Sequence, residues 1–331
     1  MSSGGSTNAD RPVRRSFYET EDVRYDLELL LGLNEEYRDR KLVTESPSYE
    51  PEALRSRGLE RAQDLHRRFN VKGKRVLEIG CGLGGTAHAL AASYDCEVVG
   101  VDLEIDRSFG LDGTQLAAWH AERELPNLSL RALDISTEDH SGLGQFDLIY
   151  SYTVWEHMVH PFSALKAAGH LLRRDGCKYM ITNLYRGPKA SHLYREIFFP
   201  WPHLLFTDSV FMEFYDKYHP DAYLRCPPYV NKLTAAHYLM YFETLDFHVE
   251  DISYQSTPID EDFYHRFHDL LSRYPRFDLE QDFLHVTLTH RAARHSVGAA
   301  RRRLAAGRQS VRRRLAGVKA LRWMYDRLRG R

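Results

Sequence analysis

Apolar and polar residues alternate in blocks along the middle of this chain, in a rhythm typical of strands separated by helices. Short apolar runs predict five strands, at 75–79, 97–102, 128–133, 146–151 and 177–182. Apolar residues at helical spacing predict helices between them, at 86–92, 113–124 and 162–172, and a turn at Asp175-Gly176 precedes the fifth strand. This alternation implies right-handed βαβ units and therefore a parallel sheet.

The pattern changes on both sides of this block. Residues 1–16 are small and polar and are predicted to be disordered, whereas 17–70 carry predicted helices at 18–41 and 52–69. After the fifth strand, residues 184–232 form an insertion rich in aromatic residues, proline and histidine. A helix at 233–245 and strands at 247–254 and 283–290 follow the insertion.

The stretch VLEIGCGLGGTA, residues 76–87, carries the strongest chemical signal. A strand ends in four glycines within six residues, and a helix follows, so the backbone can turn tightly and approach a ligand. The first amides of that helix then face the ligand. The spacing Gly80-x-Gly82-x-x-Gly85, with Asp102 after the next strand, fits a dinucleotide site. Glu78 argues against that interpretation, because a carboxylate there attracts a cation and repels a pyrophosphate.

Counted from Glu78, the stretch resembles motif I of the class I S-adenosylmethionine (SAM) methyltransferases. The segments VVGVD, LRALDIS, FDLIYSYTVWEHMVHP and LLRRDGCKYMIT also match that family, and the resemblance covers roughly 52–291. It implies an α/β fold, a Rossmann-like doubly wound sheet, mostly parallel with an antiparallel last strand. The methyltransferase domain is then expected over 71–291.

The resemblance also implies which residues bind SAM. Asp102 is expected to accept hydrogen bonds from the two ribose hydroxyls, and Asp134 from the adenine amino group. Ser151 and Tyr152 are expected at the methionine end. No acidic residue is expected at the end of the third strand in a dehydrogenase, so Asp134 argues against NAD as the bound cofactor. The full set of expected SAM-binding residues is Glu78, Gly80, Cys81, Gly82, Gly84, Asp102, Leu103, Asp134, Ile135 and Ser151.

Methyl transfer to a hydroxyl needs a base that removes the proton. His157 is the first candidate, since its loop after the fourth strand faces the methyl donor; its alternative role is to cap the next helix. His203, in the Trp201-Pro202-His203 turn, is the second candidate. Glu156 is a further catalytic candidate, and His160 and His192 follow.

The Glu156-His157 pair resembles part of the metal-binding Glu-x-x-Glu-His motif of quinone-precursor O-methyltransferases. Thr153 stands where their first glutamate would be, so no metal ligands are predicted. Mg²⁺ stays open as an additional cofactor, held by one or two carboxylates and substrate oxygens. Enzymes that methylate nucleic-acid bases carry an Asn/Asp-Pro-Pro-aromatic motif after the fourth strand. Here 151–154 reads Ser-Tyr-Thr-Val, and the Pro-Pro-Tyr at 227–229 follows the wrong strand, so nucleic acid is not the expected substrate.

Composition restricts the setting in which the chain works. The chain has four scattered cysteines whose spacing is not that of a metal site: Cys81, Cys96, Cys177 and Cys226. A reducing cytoplasm is the simplest setting for such cysteines. No apolar run approaches the roughly 20 residues of a membrane-spanning helix, and residues 1–15 lack the apolar core of a signal peptide. We therefore expect a cytoplasmic protein.

The last segment, 292–331, is strongly basic. Arginine triplets at 301–303 and 312–314 interrupt a helical pattern in which Asp326 is the only acid. Such a basic amphipathic helix can dock on the acidic remainder of the chain, on a partner, on the inner face of a membrane, or on nucleic acid. A homodimer is one option for the oligomeric state.

These patterns lead to one preferred function, a SAM-dependent O-methyltransferase acting on a small molecule or carbohydrate. Acceptors of this fold bind over the carboxyl ends of the strands, so we interpret 184–232 as a substrate lid, with a packing or dimerisation element as the alternative. Aromatic side chains in a lid suit the faces of sugar rings, which favours a sugar or polysaccharide precursor and resembles bacterial methyltransferases of such acceptors. The alternatives are a lipid or phenolic acceptor, or a non-catalytic SAM-binding scaffold that acts through its basic tail.

Overall fold

The computed structural model describes residues 25–43, 48, 50–105, 111–222 and 230–291. Its centre is a seven-stranded sheet of order β3-β2-β1-β4-β5-β7-β6. The strands are β1 Arg75–Ile79, β2 Glu97–Asp102, β3 Leu128–Ala132, β4 Phe146–Tyr152, β5 Leu172–Asn183, β6 Phe247–Ser256 and β7 Gln281–His290. The first five strands pair in parallel, and β7 lies antiparallel between β5 and β6. This order and the reversed β7 confirm the expected Rossmann-like methyltransferase fold.

Eleven α-helices are present in the described part of the chain. They are α1 Leu27–Glu36, α2 Pro51–Phe69, α3 Gly85–Tyr94, α4 Gly113–Ala121, α5 Pro161–Leu171, α6 Pro202–Leu205, α7 Asp208–Tyr218, α8 Ala235–Thr244, α9 Glu261–Arg266, α10 His268–Leu271 and α11 Arg276–Glu280. None of them has both the length and the apolar character that crossing a bilayer requires.

The sheet is covered on both faces because its central strands are apolar on both sides. Val76 and Leu148 pack in one buried cluster, which includes residues of α2 and α3. Their neighbours Leu77 and Ile149 pack in the opposite cluster, which includes residues of α5 and α8. Successive side chains of a strand point to opposite faces, so this division follows from the strand geometry. Because helices cover both faces of the sheet, the carboxyl ends of β1, β2 and β4 are the part of these strands where a site can form.

Two elements differ by more than three residues from the sequence prediction. The helix predicted over 18–41 starts only at Leu27 in the described residues, because Asp26 caps it by accepting a hydrogen bond from the Leu29 amide at 3.0 Å. The turn predicted at Asp175-Gly176 lies inside β5, which begins at Leu172. Leu172 pairs with Phe146 and Cys177 with Leu148, so the residues between Leu172 and Cys177 form an irregularity within the strand.

A second buried core lies outside the sheet, and its existence was not predicted. It joins α1, the insertion and the connection between β6 and β7, with side chains such as Leu33, Trp201 and Phe267 packed together. We call α1, α6, α7, α9, α10 and α11 the helical subdomain. The Trp201 indole donates to the Leu279 carbonyl at 3.1 Å, which ties the insertion to α11.

This core changes the argument about the acceptor. The aromatic side chains Phe199, Trp201, Phe206, Phe211 and Phe214 of the insertion are all buried in it. Because these rings pack against one another, they are not available to stack on a sugar. The aromatic argument for a carbohydrate is therefore wrong for these five residues, while the role of the insertion as a lid stays a prediction.

Several predictions concern residues outside the described ranges. These are the disordered start at 1–16, the basic tail at 292–331 and the Pro-Pro-Tyr stretch at 227–229.

Candidate active site

The turn after β1 brings the backbone of three glycines to the edge of the sheet. Gly80, Gly82 and Gly84 have φ angles of 75°, 50° and 71°, in the left-handed region that favours glycine. The Gly80 and Cys81 amides both donate to the Val101 carbonyl, at 2.8 and 3.1 Å. Helix α3 then begins at Gly85. The strand, glycine turn and helix predicted from the sequence are all present.

Gly80 also lies in close contact with the loop after β4. A Cβ placed on Gly80 would lie 2.2 Å from the Cγ2 atom of Val154. Real carbon atoms do not approach so closely, so a larger residue here must push the two loops apart.

We expect Gly80→Ala to destabilise the fold more than Gly73→Ala does. Both glycines have a positive φ, but a Cβ on Gly73 would meet nothing within 4 Å. The left-handed conformation costs an alanine about 1–2 kcal/mol at either position, and overpacking adds about 1–3 kcal/mol at Gly80 alone. Chemical denaturation of both variants measures the difference. Equal losses of unfolding free energy would contradict the close contact.

Glu78 lies at the carboxyl end of β1 and is almost completely buried. Its Oε2 atom accepts a hydrogen bond from the Ala87 amide of α3 at 3.1 Å. Burial raises the pKa of Glu78 to about 8, and the nearby Tyr150 and Arg61 offset this only in part. A buried carboxyl group with a raised pKa is stabilised as a carboxylate when a cation binds beside it.

Arg61 is a site residue that the sequence analysis missed. It lies on α2, with its guanidinium carbon 4.6 Å from the centre of the Tyr152 ring, and its charge favours the ionised form of Glu78. A guanidinium and a carboxylate side by side can bind the two charges of an amino-acid end group. The only available signal was the position of its helix, directly ahead of the glycine stretch.

Asp102, at the end of β2, connects the glycine turn to the neighbouring strand. Its Oδ2 atom accepts from the Gly82 amide at 2.7 Å, and its Oδ1 atom accepts from the Leu103 amide at 2.8 Å. Leu103 itself is exposed, with 61% of its surface accessible. The carboxylate of Asp102 is thus held at the edge of the sheet, beside the turn where a ligand is expected.

Asp134 follows β3, the next strand of the sheet. The Leu133 amide donates to the Asp102 carbonyl at 2.8 Å, which places the two acidic residues near each other. The Oδ1 atom of Asp134 accepts from the amide and hydroxyl of Ser136, at 2.9 and 2.5 Å. Burial acts to raise the pKa of Asp134, but these hydrogen bonds outweigh it and the pKa is lowered, so the group is ionised at neutral pH. The structure therefore brings Glu78, Asp102 and Asp134 to neighbouring strand ends.

Three other expected SAM contacts, Cys81, Ile135 and Ser151, also have buried side chains. Cys81 and Ile135 are both buried, and burial raises the pKa of the Cys81 thiol well above its usual value. The Ser151 side chain is fully buried, and its hydroxyl accepts a hydrogen bond from the Trp155 indole at 2.5 Å. Ser151 thus anchors the loop after β4, and its side chain is the least supported of the expected SAM contacts.

Glu156 and His157, in the loop after β4, form a cluster with His192 of the insertion. One potential ligand atom of each residue lies within 4.8 Å of the others. The His157 and His192 rings are 4.9 Å apart between centres. His192 belongs to the insertion, far along the chain, so its place beside the first-choice base was not predictable from spacing.

Glu156 is buried, and its Oε2 atom accepts from the Thr182 hydroxyl at 2.9 Å. Burial raises the pKa of Glu156 above its ordinary value. Burial, together with the nearby His157 and His203, lowers the pKa of His192 to about 3. The His192 ring is therefore neutral at physiological pH and keeps a lone pair available.

His203, the second candidate base, has a different environment. Its Nε2 atom lies 2.6 Å from the Tyr185 carbonyl oxygen, so that nitrogen carries the proton and donates. Burial lowers the pKa of His203 to about 4. A ring with such a low pKa is a weak base, which favours His157 over His203. His160 is the residue that precedes α5.

The cluster of Glu156, His157 and His192 also bears on whether the chain can bind Mg²⁺ here. This ion prefers oxygen ligands, whereas the cluster offers one carboxylate and two imidazoles. The donor set of the described residues thus does not fit Mg²⁺ well.

Comparisons with known proteins show which proteins this chain resembles. Residues 77–177 match the family described as "Methyltransferase domain". The ubiquinone biosynthesis O-methyltransferase of Nitrosococcus oceani is 29% identical over 130 residues, which cover 39% of this chain and 52% of that protein. Phosphoethanolamine N-methyltransferase 1 of Arabidopsis thaliana is 27% identical over 168 residues, which cover 50% of this chain and 30% of that protein. The chain thus spans about half, or less, of the length of these relatives.

A solved structure of coclaurine N-methyltransferase is also similar, with 17% identity and a TM-score of 0.46, and the match covers 75% of this chain and 74% of that one. The matched residues 77–177 contain the glycine turn and all three acidic residues at the strand ends, Glu78, Asp102 and Asp134. Together with the strand order of the sheet, the family match over 77–177 supports a methyltransferase domain of the class I SAM-dependent type in this chain.

Proposed function

We propose that this chain transfers a methyl group from SAM to a hydroxyl of a small-molecule acceptor. The observation that carries the proposal is the set of carboxylates at neighbouring strand ends, Glu78, Asp102 and Asp134, within a methyltransferase domain. Their order along the edge of the sheet matches the order of charges and donors along SAM.

The donor is expected to lie across the glycine turn. The ammonium of its methionine end lies beside Glu78 and its carboxylate beside Arg61, since each pair has opposite charges. Its ribose hydroxyls donate to Asp102 and its adenine amino group to Asp134, because ionised carboxylates are strong acceptors. The glycines keep side chains away from the bound molecule.

The acceptor is expected beside His157. The acceptor oxygen attacks the SAM methyl carbon in line, the bond from carbon to sulfur breaks, and sulfur keeps the electron pair as neutral S-adenosylhomocysteine. The hydroxyl proton passes to His157, whose neutral form is therefore the reactive one. His192 and Glu156 lie close enough to orient the hydroxyl or the ring.

The proposal includes three classes of acceptor. Polar groups around His157 suit a hydroxyl of any kind, including the sugar or polysaccharide precursor favoured by the sequence. A phenol is the second candidate, supported by the likeness to a ubiquinone biosynthesis O-methyltransferase. A lipid acceptor, reached through the basic tail from the cytoplasmic side of a membrane, is the third.

Methyl transfer from labelled SAM to a panel of sugars, phenols and lipid head groups tests this proposal. We expect label in an ether linkage on one acceptor class, with stoichiometric S-adenosylhomocysteine. Label on an amine would overturn the O-methyl assignment. Tight SAM binding without turnover on any class would favour a scaffold instead of an enzyme.

Proton release should accompany cofactor binding. The Glu78 carboxyl has a pKa of about 8 in the free protein, so it is mostly protonated below that pH. The ammonium of the ligand stabilises the carboxylate, so binding expels a proton and affinity rises as pH increases towards 8. The ligand keeps its own ammonium between about pH 6 and 7.5, where calorimetry in buffers of different ionisation enthalpy measures the released proton.

Glu78→Gln is the matched control for this measurement, because it keeps the side-chain size and cannot ionise. The variant should bind S-adenosylhomocysteine more weakly and lose the pH dependence. Proton uptake on binding, or an affinity of the wild-type chain that does not change with pH, would contradict the role of Glu78.

A further inference from the structure

Two buried polar atoms in the cluster beside β4 lack hydrogen-bond partners. The Glu156 side chain is 3% exposed, and its Oε1 atom has no partner; the Nε2 atom of His192 is also buried without one. An unsatisfied buried polar atom costs about 1–3 kcal/mol, so folded proteins rarely keep two of them side by side. Both residues belong to the group whose ligand atoms lie within 4.8 Å of one another, together with His157.

The surrounding residues hold the cluster in place. The Thr182 hydroxyl donates to Oε2 of Glu156 at 2.9 Å and lies 3.3 Å from the Tyr238 hydroxyl, so the other oxygen, Oε1, is left for a ligand. The Asn231 amide donates to the Glu156 carbonyl at 2.8 Å, which fixes the loop from the far end of the insertion. Outer hydrogen bonds of this kind orient metal ligands in proteins.

His192 is held in an uncommon backbone conformation, with a φ of 58°. Residues other than glycine seldom occupy this region, and such strained conformations are enriched at functional sites. The conformation places the ring 4.9 Å from that of His157. In a metal-binding Glu-x-x-Glu-His motif, the first glutamate would supply a second acid. In this chain the insertion instead supplies a second imidazole, that of His192.

We propose that Glu156, His157 and His192 bind one divalent cation of the borderline class, such as Zn²⁺. One carboxylate oxygen and two imidazole nitrogens are typical ligands of such ions, and three protein ligands leave a position open for an acceptor oxygen. The site does not depend on the proposed methyl transfer, because its occupancy is measured as binding. A bound cation would engage the His157 lone pair and would lower the pKa of a coordinated acceptor hydroxyl, whose proton would then leave to water; in the cation-free chain the His157 ring takes that proton itself.

The test uses the full chain, stripped with EDTA and titrated with ZnCl₂ or with MgCl₂. We expect one tightly bound Zn²⁺ at this site and much weaker binding of Mg²⁺. Glu156→Gln and His192→Ala should each weaken Zn²⁺ binding by more than about 100-fold, which exceeds the 10–100-fold effect of disturbing an outer partner. His170→Ala, on an exposed position of α5, is the control and should leave the affinity unchanged.

A measurement on the unmodified chain covers the case in which a variant fails to fold. Zn²⁺ should protect His157, but not His170, from modification by diethyl pyrocarbonate, as read by mass spectrometry. Unchanged Zn²⁺ affinity in both folded variants would overturn the proposal, and so would an absence of protection. Because no step uses SAM, failure of this site is distinguishable from failure of methyl transfer.

Discussion

Replacing His157 with alanine is expected to lower kcat by about 10²–10⁴-fold, the usual contribution of a group that moves a proton in the transition state. Affinity for S-adenosylhomocysteine should barely change, because the donor carboxylates lie on β1, β2 and after β3, whereas His157 follows β4. Steady-state kinetics and calorimetry on the same preparation separate these two effects.

Two further variants define what a loss at His157 means. His203→Ala should be mild, since the His203 ring is buried, already donates to the Tyr185 carbonyl and has a low pKa. His170→Ala serves as an exposed control and should have no effect on the rate. If His157 is the base, its loss lowers kcat by about 10²-fold or more. A kcat of His157→Ala that stays within about threefold of wild type would therefore show that His157 does not take the proton.

Asp102→Ala is expected to weaken S-adenosylhomocysteine binding by about 1–3 kcal/mol, the range of a lost charge-assisted hydrogen bond. Two effects combine here, because the carboxylate is proposed to hold the ribose and also accepts from the Gly82 amide at 2.7 Å. Its loss removes ligand contacts and loosens the glycine turn.

The matched control for Asp102 is Glu97→Ala, an acid at the opposite end of the same strand. Glu97 pairs with Arg75 at 2.7 Å, at the exposed amino end of β2. We expect that variant to bind S-adenosylhomocysteine with normal affinity. Equal weakening in both variants would mean that charge or strand stability, rather than the proposed ribose contact, explains the effect.

The sheet could be predicted from the sequence because each of its strands has a strong local pattern. The runs at 75–79 and 97–102 were predicted with the bounds that the structure shows. Their apolar residues are buried on both faces, which is the pattern of a central parallel strand. The glycine turn was predictable for a similar reason, since glycine is the residue that most readily adopts the backbone angles found there.

The helical subdomain could not be predicted in the same way. Helices α9, α10 and α11 have six, four and five residues, too few for a helical period to stand out from the sequence. The core that they share with α1 and the insertion joins three separate segments of the chain. Contacts between such distant segments depend on the whole fold, and local patterns do not encode them.

The same difference between local patterns and distant contacts explains which residues of the site could be predicted from the sequence. His157 was identifiable because its loop directly follows a predicted strand. His192 reaches that loop only because the insertion folds back over β4, and Arg61 reaches Glu78 only because α2 packs beside β1. Five aromatic residues of the insertion were misinterpreted, since composition does not tell whether a ring faces a ligand or a neighbouring ring.

Calorimetric titration of the full chain with S-adenosylhomocysteine and, separately, with NAD tests the central claim most directly. The three carboxylates at neighbouring strand ends predict saturable binding of S-adenosylhomocysteine, weakened in Asp102→Ala, and no binding of NAD under the same conditions. Tight binding of NAD with no response to S-adenosylhomocysteine would contradict the assignment of this site to SAM.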